Sequence, residues 1–408
     1  MRRSIALPLS HFAAALACAF LGSLASLAAA PALAAGAYAA APVIAATHLV
    51  TLGWISTTIM GALYQMLPSA LGCEIRWRWL AWLTGTLHVL GLIGFVSGLW
   101  MGWPGLVAGG GIAVGVALAM FALNIGMTLP RATTRDLTWW ALECAVAFLV
   151  VTLILGIALA ANWRWGFLGA SQGIARVTHA TVALGGWVLL VIIGVSQRLL
   201  PMLLLSHGAT SRAARFAVAS VVAGAATLTL GHHSEPLLRF VGPALLLAGA
   251  VAFLAQGRAF YRRRVRRQLD VGMWLAAGAL GLLGVAVATS VASRIGLPRL
   301  TPLALQATVL AMLVYVAALY YKIVPTLVWN ARFGPLAGTR DLPRVADLYA
   351  HGVARGAATL LLAGPSLLLV GVAAGSVPLT ATGAAILAVG TAIVAVQMVA
   401  ISLTPSPE

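Results

Sequence analysis

Twelve long apolar runs, separated by short loops that carry most of the charge, dominate this sequence and leave it few ways to fold. They lie at roughly 5–30, 43–67, 79–99, 105–128, 139–160, 177–200, 215–231, 237–256, 271–291, 303–329, 347–372 and 379–402. A helix needs about 20 apolar residues to cross the hydrocarbon core of a bilayer. In that medium every backbone N–H and C=O must be satisfied within the segment, which a helix achieves. With 62% hydrophobic and only 8% charged residues, and a mean hydropathy of +1.01, the chain excludes soluble enzymes, disordered chains and disulfide scaffolds. The expected fold is an all-α integral membrane protein, a single polytopic domain over 1–408 with every loop too short for an extramembrane domain.

The net charge of +17 does not point to nucleic acid, because the arginines sit between the apolar runs. With the N-terminus inside, the inner loops hold Arg76, Arg78, Arg131, Arg135, Arg212, Arg215, Arg332, Arg340 and Arg344. They also hold the run Arg258, Arg262, Arg263, Arg264, Arg266 and Arg267, whereas the outer loops hold only Arg164, Arg176, Arg239, Arg294 and Arg299. That bias predicts a plasma (inner) membrane protein with both termini cytoplasmic. The arginine run reads as a topology determinant facing anionic lipid. The first apolar run, opening Met1-Arg2-Arg3, could pass for a signal peptide, but an even number of spans favours a retained helix. Cys18, Cys73 and Cys144 suggest neither a disulfide nor a cysteine metal cluster.

An internal repeat carries the functional information. The second helix holds His48, Gly53-Trp54, Gly61 and Pro68; the sixth holds His179, Gly186-Trp187, Gly194 and Pro201. In both, tryptophan to glycine is seven residues and glycine to proline seven more. The tenth helix keeps Ala311, Ala318 and Pro325 at the equivalent places. A polar pair precedes each proline: Tyr64-Gln65, Gln197-Arg198 and Tyr321-Lys322. Every fourth helix therefore repeats, which implies a pseudo-threefold set of four-helix units over roughly 1–130, 131–260 and 261–408. Small residues at that spacing stay on one face and admit close helix contact. The triplet Gly109-Gly110-Gly111, with no lysine or serine after it, reads as helix packing and not as a phosphate cradle.

The stretch from His48 through Gly53-Trp54, Gly61 and Leu63-Tyr64 to Pro68 resembles the heme-bearing helix of heme-copper oxidase subunit I, nearest the cbb-type branch and its small relatives. The family's His-x-His is matched in its second position by His48, with Ala46 at the first, and in the sixth helix in its first position by His179, with Thr181 at the second. The resemblance implies twelve helices in three arcs with hemes held between them. It also implies a copper site built from His179 and the pair His232-His233 that closes the seventh helix. The tenth helix has no histidine where the family places heme ligands, only Gln306 and Met312, so the chain looks more like the oxidase-like heme- and copper-binding proteins of the nitric-oxide-response type, or another oxidase-like relative.

An imidazole in apolar surroundings must be hydrogen-bonded, paired or metal-bound. His48 and His179 are therefore candidate cofactor ligands against a structural hydrogen-bonding role, with mid-span His88 as a possible second axial partner for His48. His179, His232 and His233 form the candidate metal set, the alternative for the last two being a polar loop beside Glu235. His11, His207 and His351 read as structural or interfacial. Trp54 and Trp187 pack either on a porphyrin face or in the core. Glu143 is expected to face the interior. The expected function is a membrane protein binding a b-type heme, with copper as a second metal, acting in electron transfer, nitric oxide response or metal handling. Its partners are the lipid bilayer and a redox partner or further membrane subunit, with no nucleic acid. The alternatives are a transporter or permease, and a cofactor-free membrane assembly protein.

Overall fold

Each apolar run becomes a helix. The computed structural model describes residues 5–206, 212–231, 238–339 and 341–405. Among these, twelve helices are long and apolar enough to cross a membrane. They are α1 (Ala6–Ala28), α2 (Ala41–Leu71), α3 (Arg78–Met101), α4 (Pro104–Arg131), α5 (Leu137–Trp165) and α6 (Gly169–Leu204). The remainder are α7 (Arg212–Leu230), α8 (Phe240–Arg262), α9 (Val271–Arg294), α10 (Pro298–Arg332), α11 (His351–Ala374) and α12 (Val377–Leu403). The protein is thus an all-helical, multi-span membrane protein.

Contacts divide the chain into two compact units, Met1–Gln65 with Gln268–Glu408, and Met66–Arg267. In the first, α10 packs on α2, α9, α11 and α12 and supplies the core, most of its length being buried. In the second, α3 to α8 pack largely on their neighbours in sequence. Helix contact depends on small residues, as expected where lipid tails are as apolar as leucine and close van der Waals approach drives association. A Cβ on Gly110 of α4 would stand 2.2 Å from the backbone nitrogen of Phe95 in α3. Within the glycine triplet, Gly110 and Gly111 serve helix packing, against α3 and α5, while Gly109 meets nothing within 4 Å.

The repeat's small residue has a consistent use. Gly61 of α2 lies against α1, where a Cβ would meet the His11 Cβ at 2.8 Å. Gly194 of α6 lies against α5, where a Cβ would meet the Ala141 Cβ at 2.7 Å and where the Thr138 hydroxyl donates to the Gly194 carbonyl at 2.8 Å. In α10 the equivalent Ala318 lies against α9, its carbonyl 2.8 Å from where a Cβ on Gly272 would stand. In all three cases the repeating helix receives the helix before it at the position seven residues before the proline.

Candidate functional site

The helices that carry His48 and His179 are interrupted at the same place. In α2, α-helix over Ala41–His48 gives way to a π-helix over Leu49–Ser56. In α6, α-helix over Gln172–Thr181 gives way to a π-helix over Val182–Leu189. Both π segments are 8 residues long, and Gly53-Trp54 and Gly186-Trp187 take their fifth and sixth positions. π-Helix is rare and concentrates at functional sites, because the inserted residue redirects the side chains around it. The Thr57 hydroxyl bonds the Leu52 carbonyl five residues back, at 3.0 Å, in keeping with the widened turn.

His48 ends the α-helical lead of α2 and is half-buried. Its Nδ1 donates to the Ile44 carbonyl at 2.7 Å, since a carbonyl oxygen only accepts. His179, also half-buried, donates from Nδ1 across to the Thr152 carbonyl of α5 at 3.0 Å. Gly156 makes room for that ring: a Cβ there would stand 3.0 Å from His179 Cε1. In both residues the Nδ1–H is engaged by a carbonyl, so the neutral ring carries its lone pair on Nε2. A metal-ligating histidine is oriented in the same way, through its other ring N–H to a carbonyl. The donor chemistry of the two imidazoles therefore fits an iron or copper ligand.

His88 is fully buried in α3. His48 belongs to one compact unit, and His88 and His179 to the other. His232 and His233 lie outside the described residues, as does His207. Among the described residues no group of three His, Cys, Asp or Glu side chains is gathered closely enough to share a metal ion.

The tryptophans serve the core. Trp54, 1% exposed, stacks on Tyr320 of α10 at 4.7 Å and 29° and donates from Nε1 to the Leu313 carbonyl at 3.2 Å. The Tyr320 hydroxyl in turn bonds Thr58 at 2.9 Å. Trp187 meets the edge of Phe121 at 6.1 Å. Glu143, the seventh residue of α5, lies within that span about 10 Å from its start and is half-buried. His11 is buried, at 3% exposed, its Nδ1 donating to the Leu7 carbonyl at 2.8 Å and its ring against the edge of Tyr64 at 5.4 Å.

Sequence reasoning found the polar pairs before the prolines but missed their partners. Arg198 binds Asp136, 2.8 Å away, and Asp136 also caps α5 by accepting from the Trp139 N–H. Lys322 binds Asp270, which likewise caps α9 by accepting from the Met273 N–H. The neighbouring residues repeat as well. Gln197 exchanges amide hydrogen bonds with Gln256 of α8, and the Tyr321 hydroxyl donates to Gln397 of α12 at 2.8 Å. Thus α6 reaches α5 through its cation and α8 through the residue before it, and α10 reaches α9 and α12 in the same two ways. The available signal was scarcity: with only 8 acids in the chain, an aspartate just before a span is conspicuous.

The chain matches no protein-family model and no curated protein.

Proposed function

We propose that this protein is a heme-binding membrane protein built on the plan of heme-copper oxidase subunit I, with three pseudo-symmetric four-helix units. On this reading it acts in electron transfer, nitric oxide response or metal handling at the inner membrane, with both termini cytoplasmic. The observation that carries it is the π segment that follows a candidate ligand in both α2 and α6, in the same register to the Gly-Trp pair. The recurring cation-to-cap contacts, Arg198 with Asp136 and Lys322 with Asp270, support the repeat independently.

His48 is assigned the heme, through Nε2, while the Ile44 carbonyl holds its ring against rotation. A heme bound there supplies one-electron exchange and a site for a diatomic ligand. Trp54, Thr58 and Tyr320 pack together in the interior of the first unit. His179 is assigned copper together with His232 and His233, its orientation set by α5 through Thr152 and Gly156.

The experiment is the absorption spectrum and pyridine hemochrome of the purified protein, with metals measured by mass spectrometry. A Soret band with near-stoichiometric b-type heme is the expected result. A colourless, metal-free preparation would contradict the reading and favour the transporter or the cofactor-free assembly protein. Reporter fusions after Pro236 and at the C-terminus test the topology, which requires opposite compartments.

A further inference from the structure

Among the buried side-chain polar atoms of the described residues that make no hydrogen bond, two belong to residues joined to each other, Ser206 and Arg264. Ser206 follows the end of α6, Arg264 follows the end of α8, and the two form an isolated antiparallel backbone bridge. Ser206 is 7% exposed and its hydroxyl makes no hydrogen bond. Arg264 donates from Nη1 to the Tyr261 carbonyl at 2.6 Å, while its Nε–H is buried without an acceptor. Buried donors are almost always satisfied in folded proteins, and a charged donor left without an acceptor is the more costly omission. Two such donors on paired residues describe the outline of a missing oxyanion.

The backbone beside them is strained. Leu205 has φ +52°, the one non-glycine residue among those described in the left-handed region. Such strain collects at ligand clamps, where it aims a side chain or a backbone turn. The surroundings are strongly cationic: Arg258, Arg262, Arg263 and Arg267 are exposed, and none of the ion pairs among the described residues includes them. Their summed field favours an anion at this end of the unit.

We infer that the Ser206–Arg264 bridge binds the phosphodiester of an acidic phospholipid. The shared chemistry is a phosphate oxyanion, and position decides for the lipid. The site lies where two membrane-spanning helices end, which is the depth of headgroups. Leu205, Phe216 and Val265 stand 52%, 53% and 62% exposed at the same end, apolar surface suited to acyl chains and wasted on a free ion in water. Ser206 and the Arg264 Nε–H donate to the phosphate oxygens, and the exposed arginines supply headgroup selection by charge. The site is independent of any heme.

The test uses the full-length protein in neutral detergent, stripped of lipid and titrated with phosphatidylglycerol, phosphatidylcholine or inorganic phosphate while thermal unfolding is followed. Phosphatidylglycerol should raise the unfolding temperature, and the other two should not. S206A and R264Q should each weaken the apparent affinity for phosphatidylglycerol about tenfold, the factor carried by one charge-assisted hydrogen bond. S206A removes a hydroxyl that bonds nothing, so it should fold as the parent does and carries the test even where R264Q does not accumulate. Equal response to phosphatidylcholine, equal response to inorganic phosphate, or unchanged phosphatidylglycerol affinity in S206A would each overturn the inference.

Discussion

Lys322 and Asp270 are bound to each other at the same place in the α9–α10 pair that Arg198 and Asp136 hold in the α5–α6 pair. In both, the cation lies three residues before the repeat proline, and the aspartate caps the preceding helix. The first repeat has neutral Gln65 at the cation's place. One aspartate therefore does two jobs, satisfying an orphan N–H and neutralising a cation at the edge of an apolar medium.

Removing either partner should destabilise, and removing the aspartate should cost more. D270A loses both the ion pair and the cap, whereas K322M loses only the pair, so D270A should exceed K322M by about 1 kcal/mol, the worth of an N-cap. The α5–α6 pair, at 29% and 40% side-chain exposure against 17% and 20%, is better screened, so R198M should cost less than K322M. Unfolding in a graded denaturing detergent measures the order. Equal effects of D270A and K322M would remove the double role.

Adjacent glycines in α4 should respond in opposite directions. A Cβ on Gly110 would collide with the α3 backbone, while one on Gly109 meets nothing within 4 Å. G109A should be neutral or stabilising by up to about 1 kcal/mol, the helix propensity difference between glycine and alanine. G110A should push α3 and α4 apart and destabilise, with thermal unfolding as the readout. A neutral G110A would mean that the two helices do not approach as closely as described.

The spans were legible because hydrocarbon allows an apolar run few alternatives, and their order in the fold matches the sequence throughout. The ends were less so. The sixth helix begins at Gly169 and not near 177, because its first turns, Gln172 to Arg176, are too polar to register as an apolar run. The π segments were invisible: Gly-Trp can be read from the letters, but an inserted residue is a change of hydrogen-bond register that packing decides. The acids opposite Arg198 and Lys322 were hidden by distance, 62 and 52 residues away along the chain. The histidines were legible as candidates, and the ring orientation that suits them to a metal came only from the carbonyls of Ile44 and Thr152.

Cys73, in the turn between α2 and α3, should be inert in the folded protein. It is 2% exposed, and burial pushes its thiol up from the ordinary value. The thiolate is the nucleophile, so a raised pKa lowers its population at pH 7 to 8 and slows alkylation. In a C18S/C144S background, maleimide labelling should proceed only as the protein unfolds, and should report opening of the α2–α3 turn. Rapid labelling of the native protein would contradict the burial.

The central claim is that His48 and His179 serve different groups. The two π segments share a register, so the two-residue offset between the histidines lies wholly in the α-helical lead and turns them about 200° apart around their helices. The most direct measurement is heme by pyridine hemochrome and copper by mass spectrometry on H48A and H179A, alongside the parent protein. H48A should lose or shift the heme spectrum, while H179A should keep most heme and lose copper. Equal loss of heme in both variants, or full retention in H48A, would contradict the account.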